Sequence, residues 1–196
     1  VNPSARLPLT MPNKENETAF TPAQWPGLPD PSNPTYANYT EGLHVGYRYY
    51  DAHKIPFTTG FPFGHGLSYT TFSYTKLNVY ANRGVPYSHT VAFEVSNTGA
   101  VPGAEIPQLY LGFPLSAGEP PKVLRGFTKV FLKPGETRTV TFSVSSAETS
   151  VWSEVSHGWT PVEGLFNVSI GASSRDIRLV GTLNNTATAL PLVEYA

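Results

Sequence analysis

The chain has no cysteine among its 196 residues, which removes disulfides and every cysteine-based metal or redox centre. It is also poor in charge: Asp, Glu, Lys and Arg make up 14% of it, 13 basic against 14 acidic. A balance this close to neutral offers nothing to a nucleic-acid backbone or an anionic bilayer, so neither is expected as a partner. No apolar run approaches the roughly 20 residues that span a membrane, and no basic-then-apolar leader is present. The first residues are Val1-Asn2-Pro3 rather than a methionine, the start expected of mature or cut material.

Several signatures of chemistry are missing as well. Neither H-E-x-x-H nor G-x-S-x-G occurs, and His89 and His157 have no metal spacing, so no cofactor or metal is expected. Gly64-His65-Gly66-Leu67-Ser68-Tyr69 lacks the third glycine of a phosphate-binding loop and reads as a tight turn, with His65 packed among aromatics. Glu41 and Asp51 are the carboxylates of the aromatic stretch 39–51. A hydrolytic pair needs carboxyls at fixed separation, and a proline-rich leader is a poor scaffold for one, so the pair is not assigned catalysis. Trp25, Trp152 and Trp159 have flat faces that suit sugar rings, but the simpler expectation is that they fill a core or an interface.

What the chain does have is aromatics, at 13%, with 17 glycines and 19 prolines. That mixture suits short strands and turns. Four N-x-S/T sequons, at Asn16, Asn38, Asn167 and Asn184, mark glycosylation candidates and point to a secreted, extracellular protein. Prolines at 3, 8, 12, 22, 26, 29, 31 and 34 forbid any long helix near the start. Residues 39–51 are compatible with either a strand or a helical turn. None of residues 1–67 shows the periodicity of a core, so this segment needs a surface to lie on.

From Ser68 onward the period is two. Val91, Phe93 and Val95 alternate with polar residues, as do Val140, Phe142 and Val144, and again Phe166, Val168 and Ile170, which leaves Asn167 on a polar face. Ile177 and Leu179 follow, and runs near Leu77–Tyr80, Gln108–Gly112 and Arg125–Leu132 complete about seven strands separated by turn signals such as Asn97-Thr98-Gly99. The fold class expected is mainly β, a fibronectin/immunoglobulin-like two-sheet sandwich.

The stretches Tyr39-Thr-Glu-Gly-Leu-His-Val-Gly-Tyr-Arg-Tyr-Tyr-Asp51 and Phe61-Pro-Phe-Gly-His-Gly-Leu-Ser-Tyr-Thr-Thr-Phe72 resemble the C-terminal region of family 3 glycoside hydrolases, in particular secreted fungal-type β-glucosidases. Pro120–Phe127, Leu132–Glu136, Gly171–Leu179 and the opening Asn2–Pro12 are similar to that family too. The resemblance implies that 1–67 is the end of an α/β-sandwich domain with its linker, 68–183 a fibronectin type III-like domain and 184–196 a tail. It also implies that both catalytic carboxylates lie upstream, so no catalytic residue is expected here. The partners implied are the N-terminal catalytic portion of the same enzyme and, through it, a β-glucoside or cello-oligosaccharide. Tyr47, Arg48, Tyr49, Phe61, Phe63 and His65 are then the candidates for docking between domains. The alternative is a stand-alone β-sandwich that binds polysaccharide or a cell surface without enzymatic activity.

Overall fold

A computed structural model describes residues 1–19, 21, 24 and 39–187. The described residues form one short α-helix, α1 (Tyr47–Ala52), a 3-10 turn (Leu115–Ala117) and eleven strands: β1 (Phe72–Ala81), β2 (His89–Asn97), β3 (Gly103–Glu105), β4 (Gln108–Gly112), β5 (Val123–Phe127), β6 (Val130–Leu132), β7 (Thr137–Val144), β8 (Ser150–Ser153), β9 (Gly158–Pro161), β10 (Gly164–Gly171) and β11 (Ile177–Asn185). One sheet has the order β1-β2-β7, the facing sheet β11-β10-β4-β5. All the pairings are antiparallel.

The alternation read from the sequence is the alternation that builds the core. Val91, Phe93 and Val95 of β2 and Val140, Phe142 and Val144 of β7 project from one sheet. Leu109 and Leu111 of β4, Phe166, Val168 and Ile170 of β10, and Leu183 of β11 meet them from the other. Full burial of each such side chain is worth about 1.5–3 kcal/mol. Asn97, at the end of β2, is buried yet fully bonded: its amide donates to the Val101 and Leu132 carbonyls, and its oxygen accepts from the Thr70 hydroxyl and the Gly99 amide.

The structure divides what reads as one strand at Arg125–Leu132. β5 pairs with β4 while β6 pairs with β3, because the hairpin bends where Pro107, which has no N–H to give, accepts the Thr128 amide. A further hairpin, β8–β9, had no clear periodic signal. The undecided stretch 39–51 holds all of α1 except its last residue, Ala52, and the six-residue helix has no side-chain cap. A helix so short does not persist alone, so α1 is held by what it packs on.

Candidate docking interface

Every residue of β4 is buried. In a strand that alternates, continuous burial means that both faces are covered. Leu109 and Leu111 face the core, so Gln108 and Tyr110 must be covered by something else. That cover is the leading segment.

Tyr47 of α1 is the centre of the contact. Its ring stacks on Phe63 with centroids 4.7 Å apart and meets Tyr110 edge-on at 6.0 Å. Its hydroxyl oxygen accepts the Leu124 amide at 2.9 Å, satisfying a backbone donor on β5. Burial pushes the Tyr47 phenol above its ordinary pKa, which keeps it neutral in this role. Beside it, Gln108 donates to the Gly64 and Ala172 carbonyls and accepts from the Tyr110 hydroxyl at 2.6 Å. Gly64 lies so close that an added Cβ would sit 2.1 Å from the Gln108 Oε1, and its φ of +79° is one that glycine adopts without strain.

Two charge contacts lock the same surface. The Asp51 side chain, 6% exposed, bonds Lys122 on one oxygen and the Arg175 Nε at 2.9 Å on the other. Arg175 also donates to the Ile55 carbonyl and lies 5.3 Å over Phe57, which stacks in turn on buried Tyr50. Arg6 pairs with Glu105, whose side chain is almost wholly buried at the end of β3. Around these, the segment closes on itself. Leu7 exchanges backbone hydrogen bonds with the 64–65 turn and Met11 with Phe61, while the Asn13 carboxamide oxygen collects the amides of Thr58, Thr59 and Gly60.

Of the six docking candidates, the structure brings Tyr47 and Phe63 together against the sandwich of this same chain. Arg48 lies 6.0 Å over the Tyr47 ring. Tyr49 stacks instead on His53 and donates to the Thr18 carbonyl, within the leading segment. Phe61 and His65 stack on each other at 4.9 Å. Gln108, Tyr110, Asp51, Lys122 and Arg175 are the participants that sequence reasoning did not pick out. An outward tyrosine in Gln108-Leu-Tyr-Leu-Gly112 was the available signal.

Glu41 and Asp51 do not form a hydrolytic pair, since Asp51 is committed to Lys122 and Arg175 while Glu41 accepts from Gln24 at 3.4 Å. Of the expectation that the tryptophans fill a core or an interface, the core half does not hold for two of them. Trp152 and Trp159 are exposed, opposite each other on β8 and β9, with rings 5.9 Å apart and edge-on. Trp25 lies outside the described residues, as does Asn38. Asn16, Asn167 and Asn184 are exposed. Among the described residues no group of His, Asp and Glu has the makings of a metal site, and no helix is long and apolar enough to cross a membrane.

The other face of the leading segment is bare. Leu9, Met11, Phe61, Leu67 and Tyr69 are all exposed, the last two by 70% and 75%. Leu7, Met11, Phe61 and Leu67 line one shallow apolar groove with His65.

Residues 105–174 match the fibronectin type III-like domain, so the two facing sheets form a fibronectin type III-like sandwich that carries a docked leading segment. The likeness extends well beyond that domain. The chain is 39% identical to probable beta-glucosidase D of Aspergillus flavus, an alignment covering 93% of this chain and 25% of that protein. It superposes on the beta-D-glucoside glucohydrolase of Trichoderma reesei with TM-score 0.80 and 35% identity, over 95% of this chain and 27% of that one. The GH3 beta-glucosidase of Bifidobacterium adolescentis gives TM-score 0.82 and 36% identity, over all of this chain and 28% of that one. The chain matches the C-terminal region of family 3 glycoside hydrolases that are β-glucosidases and carry a fibronectin type III-like domain. It spans about a quarter of the length of the curated relatives it matches.

Proposed function

We propose that this chain is the non-catalytic C-terminal part of a secreted, retaining β-glucosidase and that it braces the catalytic portion preceding it. In this reading residues 1–67 end an α/β-sandwich domain, 68–183 form the brace and 184–196 a tail. The nucleophile and the acid/base belong to the preceding portion, which takes terminal β-glucosyl residues of β-glucosides or cello-oligosaccharides by the two-carboxylate route. Extracellular action on cellulose fragments and glycosylation at Asn16, Asn38, Asn167 and Asn184 belong to the same proposal.

The observation that carries it is the two-sidedness of the leading segment. One side is locked onto β4 and β5 by Tyr47, Phe63 and Asp51, and the other leaves Leu9, Met11, Phe61, Leu67 and Tyr69 exposed among the described residues. A bare apolar face of that kind fits a surface buried against a further domain. The alternative, a stand-alone polysaccharide-binding module, would draw on Trp152 and Trp159. Their rings stand 76° apart, which supplies no common plane for a row of sugars.

The test compares this chain with the full-length polypeptide on an aryl β-glucoside. The full-length enzyme is expected to turn over and this chain alone to be inert; hydrolysis by the chain alone overturns the assignment. In the full-length enzyme, Leu67→Asp is expected to shorten the half-life at elevated temperature while leaving KM unchanged.

A further inference from the structure

A groove remains at the far end of the sandwich, away from the docked segment, that the bracing role does not use. It lies where the edge strands of the two sheets, β1 and β11, run past each other, and has a volume of about 420 Å³. Small-ligand pockets begin at about 300 Å³. Val79, Val85 and Leu183 give it apolar walls, and Tyr80 and Tyr87 give it two aromatic rings.

Tyr87 is held in place by the chain around it. Its amide donates to the Thr186 carbonyl at 3.2 Å, and its hydroxyl donates to Glu163 at 3.0 Å. Its φ of 51° lies in the left-handed region that a bulky residue rarely enters, so these bonds maintain a conformation that is unfavourable on its own. Buried His89 also lines the groove. Its Nε2 donates to the Asn184 carbonyl at 3.1 Å, which fixes the backbone from which the Asn184 side chain departs. Asn184 itself is exposed, lines the groove, and begins the sequon Asn184-Asn185-Thr186.

We propose that Asn184 carries an N-linked glycan whose first N-acetylglucosamine units lie in this groove, against Tyr80 and Tyr87. The inference rests on the reading of the chain as secreted. In the transfer, Asn184 Nδ2 attacks the anomeric carbon of a lipid diphosphate-linked oligosaccharide. The new C–N bond forms as the C–O bond to the diphosphate breaks, the nitrogen gives up one proton, and the lipid diphosphate departs. The bound sugar then suits the groove on both sides: its C–H face and acetamido methyl meet the tyrosine rings and Val79, while its hydroxyls face water. Asn167 has no such setting, since it stands on an open sheet face between Gly112 and Thr182.

The experiment uses the full-length protein secreted from a eukaryotic host. Peptide mass spectrometry reads the occupancy of each sequon, and hydrogen exchange reads amides 79–89 with the glycan present, enzymatically removed, or prevented by Asn184→Gln. The expected result is a glycan at Asn184 and exchange at 79–89 at least several-fold faster in both sugar-free forms. Occupied Asn16 or Asn167 beside a bare Asn184 overturns this proposal and leaves secretion standing. Absence of sugar from every sequon in protein retained by the cell overturns the secreted reading itself. An occupied Asn184 with unchanged exchange overturns the seating in the groove. Protection that survives loss of the sugar but vanishes on deleting residues 188–196 makes the chain's own tail the occupant, and the proposal fails.

Discussion

Tyr47 combines three contacts in one side chain: a stack on Phe63, an edge against Tyr110 and an acceptor for the Leu124 amide. These separate experimentally. Tyr47→Phe keeps the rings but strands a backbone donor, and should cost about 1–2 kcal/mol in urea unfolding. Tyr47→Ala loses the packing too and should cost about 3 kcal/mol. Asp51→Ala leaves Lys122 and Arg175 facing each other without a counter-ion, and about 2–4 kcal/mol of lost stability is expected, less than for a wholly buried pair because Arg175 is partly exposed. A different carboxylate contributes to the acid limb. The two-pronged bond from Arg178 holds Asp176 below its ordinary value of 3.8. A depressed native pKa stabilises the fold fully above the unfolded value and is lost as pH falls through the native one. Stability should therefore drop below about pH 4, and Asp176→Asn should flatten that part of the curve, measured by thermal unfolding between pH 2 and 5.

At the scale of elements, the sequence was most readable where burial is one-sided. β2, β7 and β10 alternate because one face of each meets the core and the other meets water, so Val91, Val140 and Phe166 announce their strands. β4 is the informative exception. Its outward Gln108 and Tyr110 look like solvent-facing residues, and only tertiary contact with Gly64 and Tyr47 reveals them as an interface. The bend dividing β5 from β6 was illegible for a similar reason: Thr128 and Lys129 carry no local turn signal, and the break is imposed from across the hairpin by Pro107. α1 was undecidable because its stability comes from Tyr47, Tyr50 and Asp51 contacts rather than from helical periodicity. The tryptophans of β8–β9 stand outside the core because an exposed cross-strand pair helps to hold a two-stranded ribbon. Trp152→Ala should cost about 1 kcal/mol and speed amide exchange in residues 150–161 alone.

For the molecule as a whole, an inner interface is satisfied and an outer one is not. The bare strip of Leu9, Met11, Phe61, Leu67 and Tyr69 should make the chain self-associate when produced without its preceding portion. Leu67→Lys combined with Tyr69→Ser should restore a monodisperse solution by light scattering without altering the unfolding midpoint. One further consequence lies in the paired crossing of Leu7–Met11 with Phe61–His65. The chain enters and leaves the excursion between Met11 and Phe61 at the same spot, so whatever happens to the length of that excursion is invisible at its mouth. Lengthening a loop of about fifty residues by about ten raises its closure cost by only about 0.2 kcal/mol. Tyr47, Asp51 and Phe57 within the excursion stay tied to the sandwich, so an insertion that keeps those contacts is expected to leave the sandwich where it stands.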